Sequence, residues 1–138
     1  MTHPVFARID EFFARYQATF EQLDPDAIAT FWFAPTLALE PGQVRVCVDE
    51  TALQLAFETA TGSLRQAGLQ RADYELREVR VLRADLVDCV VYWHLRSASG
   101  ALLKTLHNVY VLRADARGWG VAAVYLLPAD QIIERLSG

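Results

Sequence analysis

Four side chains of this chain could move or steady a proton: Tyr16, Glu40, His94 and His107. Imidazole titrates near neutral pH with little tuning, so His94 and His107 could serve as an acid and base pair. A carboxylate half-buried beside a proline, as at Glu40-Pro41, is tunable toward neutrality and could then act as a general base. The Tyr16 phenol could donate to an oxygen on which negative charge develops. Each also has a plainer reading. Tyr16 falls in an aromatic helix stripe, where a core role with a satisfied hydroxyl is ordinary. Glu40 belongs to a Glu-Pro-Gly turn that suits a solvated carboxylate, and a strand histidine is often a hydrogen-bonded structural residue. No spacing gathers the two or three ligands that a metal needs, so neither a metal nor a cofactor is expected.

The elements that must position these groups follow one order, helices first and strands last. Phe6, Ile9, Phe13, Tyr16 and Phe20 recur at helical steps. Asp24-Pro25 reads as an N-cap with proline at the first helical position, opening a second helix through Phe31 and Trp32 that Pro35 closes. Thr36 to Leu39 and Gln43 to Val48, around Pro41-Gly42, read as a small hairpin. Asp49 or Thr51 caps a third helix that carries Leu53, Phe57 and Leu64 and stops at Gly68. Tyr74 to Arg83 then begins the main sheet, with a phase shift near Arg77 or Glu78 that predicts a bulge. Leu86 to Arg96, Ala101 to Arg113 and Trp119 to Leu127 complete it, and Pro128 to Leu136 reads as a brief terminal helix. This order predicts a single α+β domain over residues 1–138: a curved antiparallel sheet wrapped around N-terminal helices, a cone-shaped α+β barrel enclosing a pocket.

The turn at Ser99-Gly100 sets the register of the two central strands. A two-residue loop puts His94 opposite Thr105 and Tyr92 opposite His107, so both histidines share a face; a three-residue loop separates them. The two-residue loop is favoured because it gathers Tyr92, His94, Thr105 and His107 on one side, which is expected to look into the pocket. Val91, Trp93, Leu95, Leu106, Tyr110 and Val124 then lie outside, with Asn108 at the interface or surface. An apolar outer face predicts a homodimer joined through the sheet.

Composition narrows the partners. A formal charge of -4 with interspersed signs leaves no electrostatic footprint for nucleic acid or an anionic membrane. No apolar run is long enough to span a bilayer. Cys47 and Cys89 have no metal or disulfide spacing and read as buried thiols in a reducing, cytoplasmic setting. A small apolar ligand is the expected partner.

The arrangement resembles the nuclear transport factor two-like superfamily, which includes ketosteroid isomerases, polyketide cyclases and scytalone dehydratase. The sharpest stretch is Arg15-Tyr16, then Asp24 through Ala27-Ile28, then Glu40-Pro41. In ketosteroid isomerases a helix-one tyrosine after an arginine donates to the dienolate oxygen, and a carboxylate before a proline moves the proton. The resemblance puts Tyr16 on the tyrosine and Glu40 on the carboxylate, which is aspartate in that family. It puts Val109 where those isomerases have a protonated aspartic acid as second donor, a place that valine cannot fill and for which His107 is the candidate substitute. Tyr16, Tyr92, His94, His107 and Tyr125 also resemble the scytalone dehydratase set in composition. The resemblance thus implies a cofactor-independent isomerase, cyclase or dehydratase acting on an apolar cyclic or carbonyl compound. Tyr16, Glu40, His107 and His94 would be catalytic, and Phe13, Phe20, Phe57, Tyr92, Thr105, Val109 and Tyr125 would line the ligand site. The alternative is a non-catalytic pocket or dimerisation module in which the same residues pack a core.

Overall fold

A computed structural model describes residues 3–128 and 133–137. Helix α1 spans Pro4–Glu21, with the His3 ring accepting from the Val5 amide at 3.1 Å as its N-cap. Helix α2 is Pro25–Ala29, capped by Asp24, and α3 is Glu50–Ala67, capped by Asp49 and ended by Gly68 at φ 87°. Gly68 adopts the left-handed conformation that a helix C-terminus favours and that a side chain resists. Strands β1 (Trp32–Glu40) and β2 (Gln43–Cys47) form the expected hairpin. Strands β3 (Leu69–Arg83), β4 (Leu86–Ser97), β5 (Leu102–Asp115) and β6 (Gly118–Pro128) form the long meander.

The six strands make one sheet in the order β2-β1-β6-β5-β4-β3. The fold class expected from the sequence needs correction here. Mixed α+β architecture is observed, but the sheet is open and neither closed nor strongly curled, so it is not a cone-shaped barrel: β2 and β3 stand at opposite ends of the order. Nor is it wholly antiparallel, because β1 runs parallel to β6. Two local boundaries also differ. The second helix stops at Ala29, and Phe31-Trp32 leads instead into β1; Pro35, expected to end the helix, lies within that strand after a cis Ala34–Pro35 peptide. Of the terminal helix expected over Pro128 to Leu136, Pro128 ends β6 and residues 133–137 are irregular, while 129–132 lie outside the described residues.

The bulge expected near Arg77 is present, with β3–β4 pairing slipping between Leu76 and Glu78. A second slip, between Leu69 and Arg71, is where α1 is fastened to the sheet. There the Gln17 amide donates to the Ala72 carbonyl at 2.6 Å, and the Glu21 carboxylate accepts from the Ala72 amide at 2.8 Å. Helix side chains thus pair backbone groups beside the irregular ladder, where bare burial would be costly.

Tyr92 pairs with His107 and His94 with Thr105, as expected, but the turn is not the two-residue loop. The Ser97 amide donates to the Ala101 carbonyl across a three-residue loop, Ala98-Ser99-Gly100, and a slip between Leu95–Lys104 and Arg96–Leu102 restores the pairing. The assignment of faces is the reverse of that expected. Along β4 the buried positions are Val87, Cys89, Val91, Trp93 and Leu95, and along β5 they are Asn108, Tyr110 and Leu112. This apolar face packs beneath α1, where Phe13 meets Tyr110 and Trp93 at ring distances of 5.1 and 6.4 Å. The premise of the expected homodimer, an apolar face turned outward, therefore fails, because the helices of the same chain cover that face. The histidine face points the other way and is half-buried, with Tyr92 stacked on His107 at 3.9 Å and His94 near Glu75 and Thr105 at 3.5 Å. Burial decides the inner face: five alternating apolar residues on β4 exclude water more strongly than two imidazoles demand a cavity.

Candidate functional site

Between the inner face of the sheet, α1 and α3 lies a cavity of about 360 Å³. Its wall is written in the sequence with a period of two. Thr36, Ala38 and Glu40 come from β1, Arg45 and Cys47 from β2, and Trp93 and Leu95 from β4. Strand β5 gives Lys104, Leu106, Asn108 and Tyr110, and β6 gives Val124 and Leu126. Alternate residues of a strand share a face, so each strand offers every second side chain. Helical spacing completes the enclosure: Tyr16 and Phe20 from α1, and Leu53, Phe57, Ala60 and Leu64 from α3, recur at three- and four-residue steps.

The wall is mostly apolar, and apart from Thr36 and Ser63 its polar groups fall into two sets. Within one, Trp93 Nε1 donates to Tyr110 Oη at 2.9 Å, and Asn108 Nδ2 donates to the same oxygen at 3.1 Å. All three residues are about 4% exposed, so this network is sealed from bulk water. Tyr16 Oη in turn accepts from Trp32 Nε1 at 3.3 Å. Each tyrosine oxygen acts as acceptor in its hydrogen bonds among the described residues, which leaves each phenol proton to donate. Burial pushes the Tyr110 phenol up to about 12 and the Tyr16 phenol well above its ordinary value, and the neighbouring Tyr110 raises Tyr16 further. Both remain neutral donors throughout the physiological range. Among the described residues Asn108 Oδ1 has no hydrogen-bond partner.

The second set is Glu40, Arg45 and Lys104. Glu40 Oε1 lies 3.4 Å from Arg45 Nη2, and the two side chains are 23% and 47% exposed, so the pair is in reach of water. One carboxylate and two cations make this part of the wall charged, in contrast to the neutral hydroxyls and amide of the first set.

The sequence-derived candidates divide sharply. Tyr16, Glu40, Phe20 and Phe57 line the cavity. Phe13 is fully buried in the aromatic core against Tyr110. His94, His107, Tyr92, Thr105, Val109 and Tyr125 do not line it and lie on the opposite face, with Tyr125 paired to Val109 and 37% exposed. The expectation that these six look into the pocket is overturned by the same inversion of faces. It also means that the position assigned to a missing second donor, Val109, faces away, while its neighbours Asn108 and Tyr110 face in. Sequence reasoning missed Asn108, Tyr110, Trp93 and Trp32. The signal was available: Trp93 and Tyr110 alternate with Val91 and Leu112, and buried indole and phenol groups seek partners.

Among the described residues no group of three or more His, Cys, Asp or Glu side chains could hold a metal ion, and no helix is long and apolar enough to cross a membrane. Cys47 and Cys89 are free and buried, and burial drives the Cys89 thiol far above its ordinary range.

Comparison with solved structures gives the same fold at low identity. A domain of unknown function with a cystatin-like fold from Nostoc punctiforme superposes with a TM-score of 0.75 at 12% identity, covering 96% of this chain and 82% of that one. Aln2 from a Streptomyces species gives 0.74 at 18% identity, covering 94% and 95%. A ketosteroid isomerase-like protein from Erwinia carotovora atroseptica gives 0.68 at 18% identity, covering 91% and 96%. No curated protein matches the sequence. The family described as NTF2-like protein (DUF6841) matches residues 7–129, nearly the whole chain with its cavity-forming elements, and the protein belongs to that family.

Proposed function

We propose that this protein binds a small, predominantly apolar molecule carrying an acceptor oxygen, such as a cyclic or aryl ketone, in the cavity beneath α1 and α3. The observation that carries the reading is the pair of buried tyrosines, Tyr16 and Tyr110, whose oxygens accept indole N–H groups and whose protons are left for a ligand. A cavity of about 360 Å³ is within the range of small-molecule sites, and a mostly apolar wall with a few polar groups suits such a ligand. The two unpaired thiols suit a reducing compartment such as the cytoplasm.

A second reading adds chemistry, and one observation favours it: Glu40 lines the same cavity as the two phenols. A carboxylate that takes a proton from the carbon beside a carbonyl, with tyrosines steadying the resulting enolate oxygen, is the core of a cofactor-independent isomerase, cyclase or dehydratase. The Glu40–Arg45 ion pair must loosen for that step, so binding comes first in the argument and proton transfer second. Fold cannot choose between them, since one scaffold hosts many functions.

One probe addresses both. 2-Acetonaphthone, titrated calorimetrically, is expected to bind the native protein and to bind Tyr16→Phe and Tyr110→Phe about tenfold more weakly, the size of one net hydrogen bond. Absence of binding to the native protein, or equal binding by all three, contradicts the proposal. Deuterium incorporation into the probe's methyl group, followed by proton NMR in heavy water, reports proton abstraction. Protein-dependent exchange that disappears in Glu40→Gln supports the catalytic reading, and exchange at the buffer rate leaves a binding protein only.

A further inference from the structure

Asn108 is 4% exposed and lines the cavity, yet its carboxamide is only half used. Nδ2 donates to Tyr110 Oη at 3.1 Å, and Oδ1 has no partner among the described residues. A buried carbonyl oxygen without a donor is a standing cost to stability and asks what fills it. The adjacent hydroxyl poses the complementary question. Tyr110 Oη accepts from both Asn108 and Trp93, so its own proton is the group's unspent donor. On one strand face, two residues apart, the site therefore presents one donor and one acceptor side by side.

We propose that this end of the cavity is built for a hydroxyl, the O–H of a phenol or of an enol, in preference to a bare carbonyl or an ether. The inference rests on the ligand-binding reading above and specifies its polar group. A ligand hydroxyl accepts from the Tyr110 O–H through its oxygen and donates its own proton to Asn108 Oδ1. The bonds then close a ring in which every member donates to the next: Asn108 Nδ2 to Tyr110, Tyr110 to the ligand, the ligand to Asn108 Oδ1. Bonds running one way around a ring polarise one another, and Trp93 feeds the same ring through its indole N–H. A ketone satisfies Tyr110 alone and leaves Oδ1 as it is. An ether does the same and adds a methyl group where the proton should go. Because a phenol and an enol share this O–H geometry, the site holds the enol form of an enolisable ketone more tightly than the keto form.

The test compares matched probes, 2-naphthol against 2-methoxynaphthalene and 2-acetonaphthone, by calorimetric titration of the native protein. The expected result is 2-naphthol binding about ten- to a hundredfold more tightly than either partner, the factor that one unsatisfied buried acceptor sets. In Asn108→Leu the preference should collapse to within about threefold. Equal affinities in the native protein mean that solvent or nothing serves Oδ1; this overturns the hydroxyl inference and leaves ketone binding intact. A preference that survives in Asn108→Leu overturns it too, by placing the recognition elsewhere. Failure of all three probes to bind removes the ligand-binding reading itself. Should Asn108→Leu fail to fold, the side-chain amide of Asn108 in nitrogen-15 spectra of the native protein decides. The inference requires its shift to change with 2-naphthol and to change less with 2-methoxynaphthalene, and identical changes overturn it.

Discussion

Replacing Tyr110 with phenylalanine removes one oxygen and strands two buried donors, Trp93 Nε1 and Asn108 Nδ2, which now lie 2.9 and 3.1 Å from it. A buried donor left without an acceptor costs about 1–3 kcal/mol. Two such penalties sum to about 2–6 kcal/mol in a network sealed from bulk water, and relief from burying the phenol hydroxyl offsets part of them. The net expectation is about 2–3 kcal/mol of lost stability. For a domain of this length that corresponds to a fall in Tm of roughly 6–15 °C. Tyr16→Phe is the internal control, since it strands a single donor, Trp32 Nε1, across a longer 3.3 Å contact, and should cost about 1 kcal/mol. Urea denaturation with a shared slope reads both values, the midpoint moving while the slope stays fixed. A Tyr110→Phe variant within about 0.5 kcal/mol of the native protein would falsify the view of Tyr110 as the hub of the polar network, as would a Tyr16→Phe variant that loses as much.

The raised phenols also set an alkaline limit. Tyr110 is held at about 12 against 10.0 in the unfolded chain, so its contribution is complete below pH 10 and is lost as pH climbs toward 12, with Tyr16 acting in the same direction. That difference corresponds to about 3 kcal/mol; stability measured by circular dichroism should decline across that window, less steeply in Tyr110→Phe, and a flat profile would contradict it. Gly120→Ala places a Cβ 2.5 Å from the ring of buried Phe33, which is itself flanked by Arg117 at 3.8 Å and Arg113 at 5.0 Å, and should cost about 1–3 kcal/mol in thermal denaturation; a neutral result would show that the ring can step aside. His94→Ala should leave 2-acetonaphthone affinity within about twofold, because that imidazole lies on the face turned away from the cavity. A tenfold loss would restore the histidine face as part of the site.

Much of this architecture was legible because local rules and packing agreed. Asp24-Pro25, Asp49 and Gly68 mark helix ends by backbone chemistry, and Ser99-Gly100 marks the β4–β5 hairpin, although its loop takes in Ala98 and a slip after Leu95 is what restores the expected pairing. The phase break at Arg77 likewise signalled a bulge. Which side of the sheet faces inward was not legible in the same way. Both faces of β4 carry apolar residues, so periodicity alone supplies two candidates, and the histidines favour the wrong one because imidazole chemistry suits a pocket. What decides it is α1, whose Phe12, Phe13 and Tyr16 need a large apolar surface and find it in Trp93, Tyr110 and Val91. Tyr16 and Glu40 reached the cavity wall because a helix stripe and a hairpin strand place them independently of that choice. Asn108 was read as a surface residue by the same inversion that hid Tyr110. The closed shape failed for a further reason: element order constrains neighbours along the chain but does not make β2 meet β3.

A crystal structure of the protein soaked with 6-bromo-2-naphthol tests the central claim most directly, since anomalous scattering from bromine fixes the probe's position and direction. The ring system is expected between Phe20 and Phe57, with the hydroxyl within hydrogen-bonding distance of Tyr110 Oη and Asn108 Oδ1. A bromine peak on the His94–His107 face, or a cavity that stays free of the probe at saturating concentration, would contradict it.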